Sequence, residues 1–144
     1  KLVISMLAPQ IAGGLGALAT TPRIDSWYKL LNKPFFSPPN WVFGPVWTTL
    51  FLLMGVALYI VWRKNGKTNY FWIQLGLNLS WSWVFFGAEN LVGGIVVIML
   101  LWEAIRRTMV DFGKTSKAAG WLLLPYLLWV SFATILNIGI WWLN

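Results

Sequence analysis

The chain has 144 residues, of which 58% are hydrophobic, 10% are charged and twelve are tryptophan. Because a soluble domain carries about a quarter charged residues, this composition predicts an integral membrane protein. The sequence contains neither Cys nor His, which excludes disulfides, thiolate or imidazole metal sites and Ser–His relays. We therefore expect no metal site.

Five apolar stretches are candidates for membrane-spanning helices. They cover residues 2–19, 41–62, 69–86, 91–105 and 119–143, and each is bounded by Pro, Gly, Asn or charged residues. Their continuously apolar character does not fit the alternation of transmembrane strands. The first stretch is long for the apolar region of a signal peptide, so we interpret it as a span. The sequence predicts an all-α fold, a single domain of five transmembrane helices.

The connection at residues 20–40 is long and rich in proline. Connections of this length are usually functional or disordered, and the aromatic residues Trp27, Tyr28, Phe35 and Phe36 argue against disorder. We therefore expect a structured loop between the first two spans. It should contain a short helix near residues 25–31, with Asp25 or Ser26 as the N-cap, and then an extended Pro-rich return.

The basic residues divide unequally between the two sides of such a bundle. One side carries eight of the eleven, namely Lys1, Arg63, Lys64, Lys67, Arg106, Arg107, Lys114 and Lys117. Arg23, Lys29 and Lys33 lie in the first loop, on the other side. By the positive-inside rule, the N-terminus is cytoplasmic and the loop at residues 20–40 faces outward. The net charge of +7 is then mainly an orientation signal, and we do not expect nucleic-acid binding.

Two tryptophans lie deeper in the predicted spans than an interfacial belt requires. Trp47 is roughly 9 Å into the second span by helical rise, and Trp129 lies near the middle of the fifth. Pro125 should kink the fifth helix, and Ala133, one turn after Trp129, leaves space beside it. These positions favour an aromatic pocket capped by the loop at residues 20–40. For Trp47, a place in the interfacial belt and ordinary packing remain alternatives.

The third span places Gln74, Asn78 and Ser82 on one helical stripe, with Trp81 beside it. Polar side chains inside a membrane need partners, so this stripe should face the bundle interior. Two interpretations stay open, hydrogen bonding between helices and contact of Asn78 and Ser82 with a ligand.

Two further patterns favour structural interpretations. Glu103 stands four residues before Arg107, with Arg106 adjacent, so we predict a structural ion pair at the membrane interface. Gly13 and Ala17, four residues apart in the first span, should allow close helix packing.

Three groups of residues resemble one family, the tryptophan-rich sensory protein or translocator protein family (TspO/MBR, peripheral-type benzodiazepine receptor). They are WYKLLNKP (27–34) with PPNWVFGPVW (38–47), the NLSW and VFFG motifs at residues 78–87, and the PYLLW, FAT and LN motifs at residues 125–137. The resemblance covers nearly the whole chain. It implies a five-helix membrane bundle, usually a homodimer, with a pocket under the first loop.

The resemblance also implies that the pocket binds porphyrins, such as protoporphyrin IX, and synthetic benzodiazepine-type ligands, with no cofactor required. The candidate ligand-binding residues, from the helical patterns and the resemblance together, are Tyr28, Trp47, Asn78, Trp81, Ser82, Trp129 and Ala133. Ser82 stands where one bacterial relative has a second Asn. The Tyr and Arg that mammalian members carry after the Leu–Asn pair of the fifth span are absent here, which argues against high-affinity cholesterol binding.

Three functions follow as hypotheses. The first is a receptor or carrier of porphyrins, whose acidic tails would meet Arg23, Lys29 and Lys33. The second is a light-dependent porphyrin-degrading enzyme with Trp47 and Trp129 as the reactive partners, because no conventional catalytic constellation is present. The third is a structural or partner-regulating membrane protein. Since no His or Cys is available as an axial ligand, a metal-free porphyrin suits the pocket better than haem.

Overall fold

The computed structural model describes residues 2–144, and over that range it is helical with connecting turns and no strand. The all-α prediction is confirmed. The helices are α1 (Leu2–Ile24), α2 (Trp27–Leu30), a 3-10 turn (Asn40–Val42), α3 (Phe43–Arg63), α4 (Asn69–Ser82) with a π-helical turn (Trp83–Gly87), α5 (Leu91–Thr115), α6 (Lys117–Leu122) and α7 (Leu124–Leu143). Lys1, used above for orientation, lies outside the described residues.

Three helical segments of the described chain are long and apolar enough to cross a membrane. They are Leu2–Ile24, Asn40–Arg63 and Lys117–Leu143, and they overlap the first, second and fifth predicted spans. The predicted third and fourth ranges are also helical, in α4 with its π-helical turn and in α5. Helix α5 continues past residue 105 to Thr115, well beyond the predicted end.

Small residues bring α1 against α3. A Cβ atom at Gly13 would lie 2.6 Å from the Phe51 ring, and one at Gly55 would lie 2.8 Å from the backbone oxygen of Ser5. Close packing at Gly13 is therefore confirmed. Ala17, its predicted companion, is exposed and instead borders a cavity.

The end of the bundle farthest from α2 is filled by large apolar side chains, and we call it the packed half. The Phe71 and Phe112 rings stack there at 5.8 Å with an interplanar angle of 11°. Other fully buried members of this hydrophobic core are Met54, Leu58, Val61, Leu101 and Ile105.

The connection after α1 differs from its prediction in two ways. Helix α1 continues to Ile24, so the loop begins later than residue 20. Ser26 occupies the N-cap position of α2, but its side chain makes no cap hydrogen bond, and Asp25 is exposed. The predicted cap is wrong because the Ser26 hydroxyl donates to the backbone oxygen of Pro22 at 2.8 Å. It thus satisfies a terminal carbonyl of α1, which would otherwise lack a partner.

The Pro-rich loop, residues 31–39, docks on the end of α7. The Asn32 amide N–H donates to Asn144 Oδ1 at 3.2 Å, and Asn144 Nδ2 donates back to the Asn32 carbonyl at 2.8 Å. Pro34 lies so close to Gly139 that a Cβ atom there would be 2.6 Å from Pro34 Cγ. The loop is therefore held over the bundle at the α2 end.

Pro125 does not kink the interior of a helix as predicted. Helix α6 ends at Leu122, and Pro125 lies in the first turn of α7. In a first turn the missing N–H of proline leaves no hydrogen bond unmade. The proline therefore marks a break between two helices.

Candidate ligand-binding site

A cavity of about 430 Å³ lies between α1, α3, α4 and α7, next to α2. All of the predicted ligand-binding residues border it, namely Tyr28, Trp47, Asn78, Trp81, Ser82, Trp129 and Ala133. They come from four helices that are far apart in sequence. The predicted aromatic pocket is present, and contact of these residues with a ligand stays a prediction.

Trp47 lies at the centre of the aromatic wall. Its ring centroid is 5.7 Å from that of Phe51, 6.5 Å from that of Trp81 and 6.4 Å from that of Trp129. The Trp47 and Trp129 rings are nearly perpendicular, at 89°. The wall therefore offers both ring faces and ring edges to a flat guest.

Part of the wall on α1 is formed by residues with little or no side chain. Gly13, Gly14, Gly16 and Ala17 of α1 border the cavity. A Cβ atom at Gly16 would lie 3.1 Å from Ser82 Oγ, whereas one at Gly14 would meet nothing within 4 Å. These residues fill little space, which contributes to the cavity.

Hydrogen bonds hold the polar stripe of α4 against α7. Asn78 Nδ2 donates to the Tyr126 hydroxyl at 2.7 Å, and that hydroxyl donates to Gln74 Oε1 at 2.7 Å. Gln74 and Asn78 are buried, so the prediction that the stripe faces the interior is confirmed for them. The stripe bonds between helices, and at Asn78 and Ser82 it also borders the cavity.

Sequence reasoning did not select Asn137 as a site residue. Its Oδ1 atom accepts from Trp81 Nε1 at 3.1 Å, and its Nδ2 atom donates to the Leu91 carbonyl at 3.1 Å. Asn137 borders the cavity and fixes the Trp81 ring. Its position four residues after Ala133 on one ridge of the fifth span was the available signal.

The family model of TspO/MBR matches residues 5–143. The chain belongs to the TspO/MBR family. It is 47% identical over 150 residues to the tryptophan-rich protein TspO of Archaeoglobus fulgidus, covering 100% of this chain and 97% of that protein. It is 38% identical over 143 residues to the human translocator protein, covering 94% of this chain and 85% of that protein. The resemblance is confirmed, and family membership together with the apolar helices identifies a membrane protein.

Several polar atoms near the cavity of this TspO/MBR protein lack a partner among the described residues. They include Trp129 Nε1 and the Tyr28 hydroxyl, which are buried and belong to residues that border the cavity. Burial raises the pKa of the Tyr28 hydroxyl above its ordinary value, so this side chain is neutral at physiological pH. These atoms could hydrogen-bond a ligand.

The three basic residues predicted to meet porphyrin acids are not on the cavity wall. Arg23 donates to the Ala19 carbonyl at 3.5 Å, and Lys29 is exposed. Lys33 Nζ lies 4.8 Å from the centroid of the Tyr28 ring and donates to the carbonyl of Leu31 at 3.3 Å. Of the three, Lys33 thus packs its side chain against a cavity residue, and contact with ligand acids stays a prediction for all of them.

The Glu103 pair is structural, as predicted, and includes a second arginine. Arg106 Nε donates to both Glu103 carboxylate oxygens at 3.1 Å, and Arg107 Nε donates to one of them at 3.1 Å. Arg107 also donates to the Tyr70 hydroxyl at 2.9 Å. The cavity wall itself, as far as the structure describes it, contains no acidic or basic side chain.

Proposed function

We propose that this membrane protein binds porphyrins, protoporphyrin IX foremost, and related flat hydrophobic molecules in its cavity, as a receptor or carrier. The observation that carries the proposal is the meeting of Trp47, Trp81 and Trp129 on one wall of a cavity of about 430 Å³. Sites for small molecules usually measure about 300–1,000 Å³ and are mainly apolar with a few polar groups. The wall described above matches this pattern.

Aromatic contact would supply much of the binding free energy. Each favourable ring pair contributes about 0.5–1.5 kcal/mol beyond area burial, and Trp47 and Trp129 present perpendicular rings. The chain has no His and no Cys, the commonest axial ligands of haem iron. A metal-free porphyrin is therefore the favoured guest.

In the membrane, we propose five spans formed by α1, α3, α4 with its π-helical turn, α5, and α6 with α7. The positive-inside rule then puts the N-terminus in the cytoplasm and the Pro-rich loop outside. The cavity borders α2 and lies toward the loop end of α3 and α4, so it would be in the outer half of the membrane. As the resemblance implies, we expect a homodimer.

The acidic tails of a porphyrin would point to the outer loop. Lys33 is the nearest of the three candidate basic residues because it already lies over the Tyr28 ring, and it would have to turn from that ring to reach a carboxylate. Lys29 and Arg23 would meet a tail only at the cavity mouth. Lys33→Glu should weaken protoporphyrin binding and leave the affinity for an uncharged flat aromatic molecule unchanged.

A second candidate function is light-dependent breakdown of the bound porphyrin. The specific observation is the edge contact between Trp47 and Trp129, whose ring centroids are 6.4 Å apart at the cavity wall. A bound porphyrin would absorb the light, and these indoles would be oxidisable side chains beside it. The ligand would then supply the reactive group, as many cofactors do, and the protein would bind and orient it.

The test is a titration of the purified protein with protoporphyrin IX, following tryptophan quenching and porphyrin absorbance, first in the dark and then under light. Trp47→Phe and Trp129→Phe should each weaken binding about twofold to tenfold, as the loss of part of an aromatic contact predicts. Trp142→Phe is the matched control, because Trp142 is 78% exposed and does not border the cavity.

The outcomes separate the candidates. Saturable binding with a stable spectrum under light supports a receptor or carrier. Loss of the porphyrin band under light, abolished only in the two cavity variants, supports the enzyme. Absence of saturable binding in the wild-type protein contradicts both and favours a structural role.

A further inference from the structure

Four side chains form a hydrogen-bonded chain that ends at the cavity. Gln74 Nε2 lies 3.9 Å from Met54 Sδ, Gln74 Oε1 accepts from the Tyr126 hydroxyl at 2.7 Å, and that hydroxyl lies 2.7 Å from Asn78 Nδ2. Gln74 and Tyr126 are each 1% exposed. Asn78 is the member of the chain that borders the cavity.

The donors and acceptors allow only one direction along this chain. A thioether sulfur accepts and never donates, so the amide nitrogen of Gln74 faces Met54 and its oxygen faces Tyr126. That oxygen can only accept, so it takes the single hydroxyl hydrogen of Tyr126. Toward Asn78 the Tyr126 hydroxyl is then an acceptor, and Asn78 must present its Nδ2 atom. The Oδ1 atom of Asn78 consequently points away from Tyr126.

Asn78 Oδ1 is an available acceptor at the cavity. Among residues 2–144, no donor bonds to it. The neighbouring pair is different, because the indole N–H of Trp81 donates to Asn137 Oδ1 and Asn137 Nδ2 donates to the Leu91 carbonyl. A ligand that covers Asn78 without a hydrogen donor would therefore leave a buried acceptor unpaired.

We infer that Tyr126 and Gln74 are positioning residues that hold the Asn78 carbonyl oxygen toward the cavity. The site thereby selects flat apolar ligands that bring an N–H or O–H donor to the α4 wall. This inference rests on the proposed function, because it requires the cavity to be a ligand site. It adds a hydrogen-bonding preference that stacking on tryptophan does not supply.

The probes are three tricyclic molecules of one shape. Carbazole carries an N–H donor, fluorene carries a CH₂ group at that position, and fluorenone carries a carbonyl acceptor. Dissociation constants are measured by tryptophan quenching of the full chain in lipid nanodiscs, with partition into empty nanodiscs subtracted. Wild-type protein should bind carbazole about tenfold more tightly than fluorene, the usual scale for leaving one buried polar group unpaired. Equal affinities for carbazole and fluorene would overturn the inference.

The decisive variant is Gln74→Leu, which keeps an apolar side chain of similar bulk at position 74 and removes the acceptor for Tyr126. The Tyr126 hydroxyl is then free to donate to Asn78 Oδ1, and the amide of Asn78 turns to present Nδ2 to the cavity. Carbazole and fluorene should then bind with about equal affinity. The affinity of fluorenone relative to that of fluorene should rise about fivefold over its wild-type value. Each comparison is a ratio of two dissociation constants measured on one protein. The free indole N–H groups of the cavity are the same in wild type and variant, so they do not account for a change in that ratio.

Two other variants complete the set. Tyr126→Phe releases Asn78 from its partner, so the carbazole preference should be lost without a gain for fluorenone. Thr108→Val is the matched control, because Thr108 is a buried polar residue whose hydroxyl bonds to Ala104 and which does not border the cavity. It should leave all three ratios unchanged.

If Gln74 had a merely structural role, Gln74→Leu would weaken the binding of all three probes equally, and that result would overturn the inference. Protoporphyrin IX is titrated into the same samples. If it binds while the probe ratios do not respond, the proposed function stands and the inference fails. If neither protoporphyrin IX nor any probe binds the wild-type protein, the proposed function itself fails.

Discussion

The two ends of the helical bundle contain similar aromatic side chains and pack them differently. In the packed half, the Phe71 and Phe112 rings lie nearly parallel, and large aliphatic side chains fill the space around them. At the other end, the ring of Trp47 contacts Trp81 and Trp129, and a cavity of about 430 Å³ remains beside them.

The difference lies in the residues that face the rings. At the cavity, α1 contributes Gly13, Gly14, Gly16 and Ala17, whose side chains are absent or small and fill little space. In the packed half, neighbouring helices contribute Met54, Leu58 and Ile105, each 0% exposed. Protein interiors are otherwise close-packed. The cavity in this protein therefore depends on small residues as well as large ones, and aromatic content alone does not produce it.

The largest expected effect is on stability, from Phe71→Ala in the packed half. Removing the ring leaves a void beside Phe112, and the cost should be about 2–3 kcal/mol in the free energy of unfolding. This is less than the usual cost in a soluble core, because lipid is as apolar as the protein interior. Thermal unfolding in detergent measures it. Below the transition, the affinity for protoporphyrin IX should match that of the wild type, and a selective loss of affinity would mean that the two halves are not independent.

The next effect is on binding, from Ala133→Leu in the cavity wall. The larger side chain takes up space that the ligand would occupy, so protoporphyrin affinity should fall about tenfold, the equivalent of about 1.4 kcal/mol. Unfolding should change little, because the added carbons enter a void. The control is Ala118→Leu at an exposed position of α6. Unchanged affinity in Ala133→Leu would show that the ligand binds elsewhere.

The smallest effect is on the rate of ligand release, and it tests the Pro-rich loop at residues 31–39. Two glycine substitutions isolate the contribution of this loop. Gly113→Ala and Gly139→Ala should each gain about 0.5–1 kcal/mol of helix propensity. A Cβ atom meets nothing within 4 Å at Gly113, whereas at Gly139 it lies 2.6 Å from Pro34 Cγ.

Gly139→Ala should therefore push the loop from α7 and speed ligand release about fivefold, if the crowding costs about 1 kcal/mol. Stopped-flow dissociation of protoporphyrin measures the rate, with Gly113→Ala as the comparison. Identical rates in the two variants would mean that the docked loop does not retain the ligand.

The sequence by itself determined the all-helical class, the membrane environment and seven of the residues that border the cavity. Continuous apolar runs leave few alternatives to helices in a membrane, because every backbone polar group must be satisfied within the segment. Trp47 and Trp129 could be predicted because they lie too deep for an interfacial belt, and Asn78 because a polar residue in a span needs a partner. The small side chain at Ala133 was a further local signal.

Only the tertiary structure decided which partner each polar group takes. Ser26 bonds back to α1 and leaves α2 without a side-chain cap, and Pro125 starts a helix where a kink was expected. The contacts of Tyr126 with Gln74 and Asn78 join residues 52 and 48 positions apart. Helical periodicity predicts which residues share one face of a helix. It does not predict which residues of another helix pack against that face. The direction of the hydrogen bonds at the cavity wall therefore appears only when α4 and α7 are packed together.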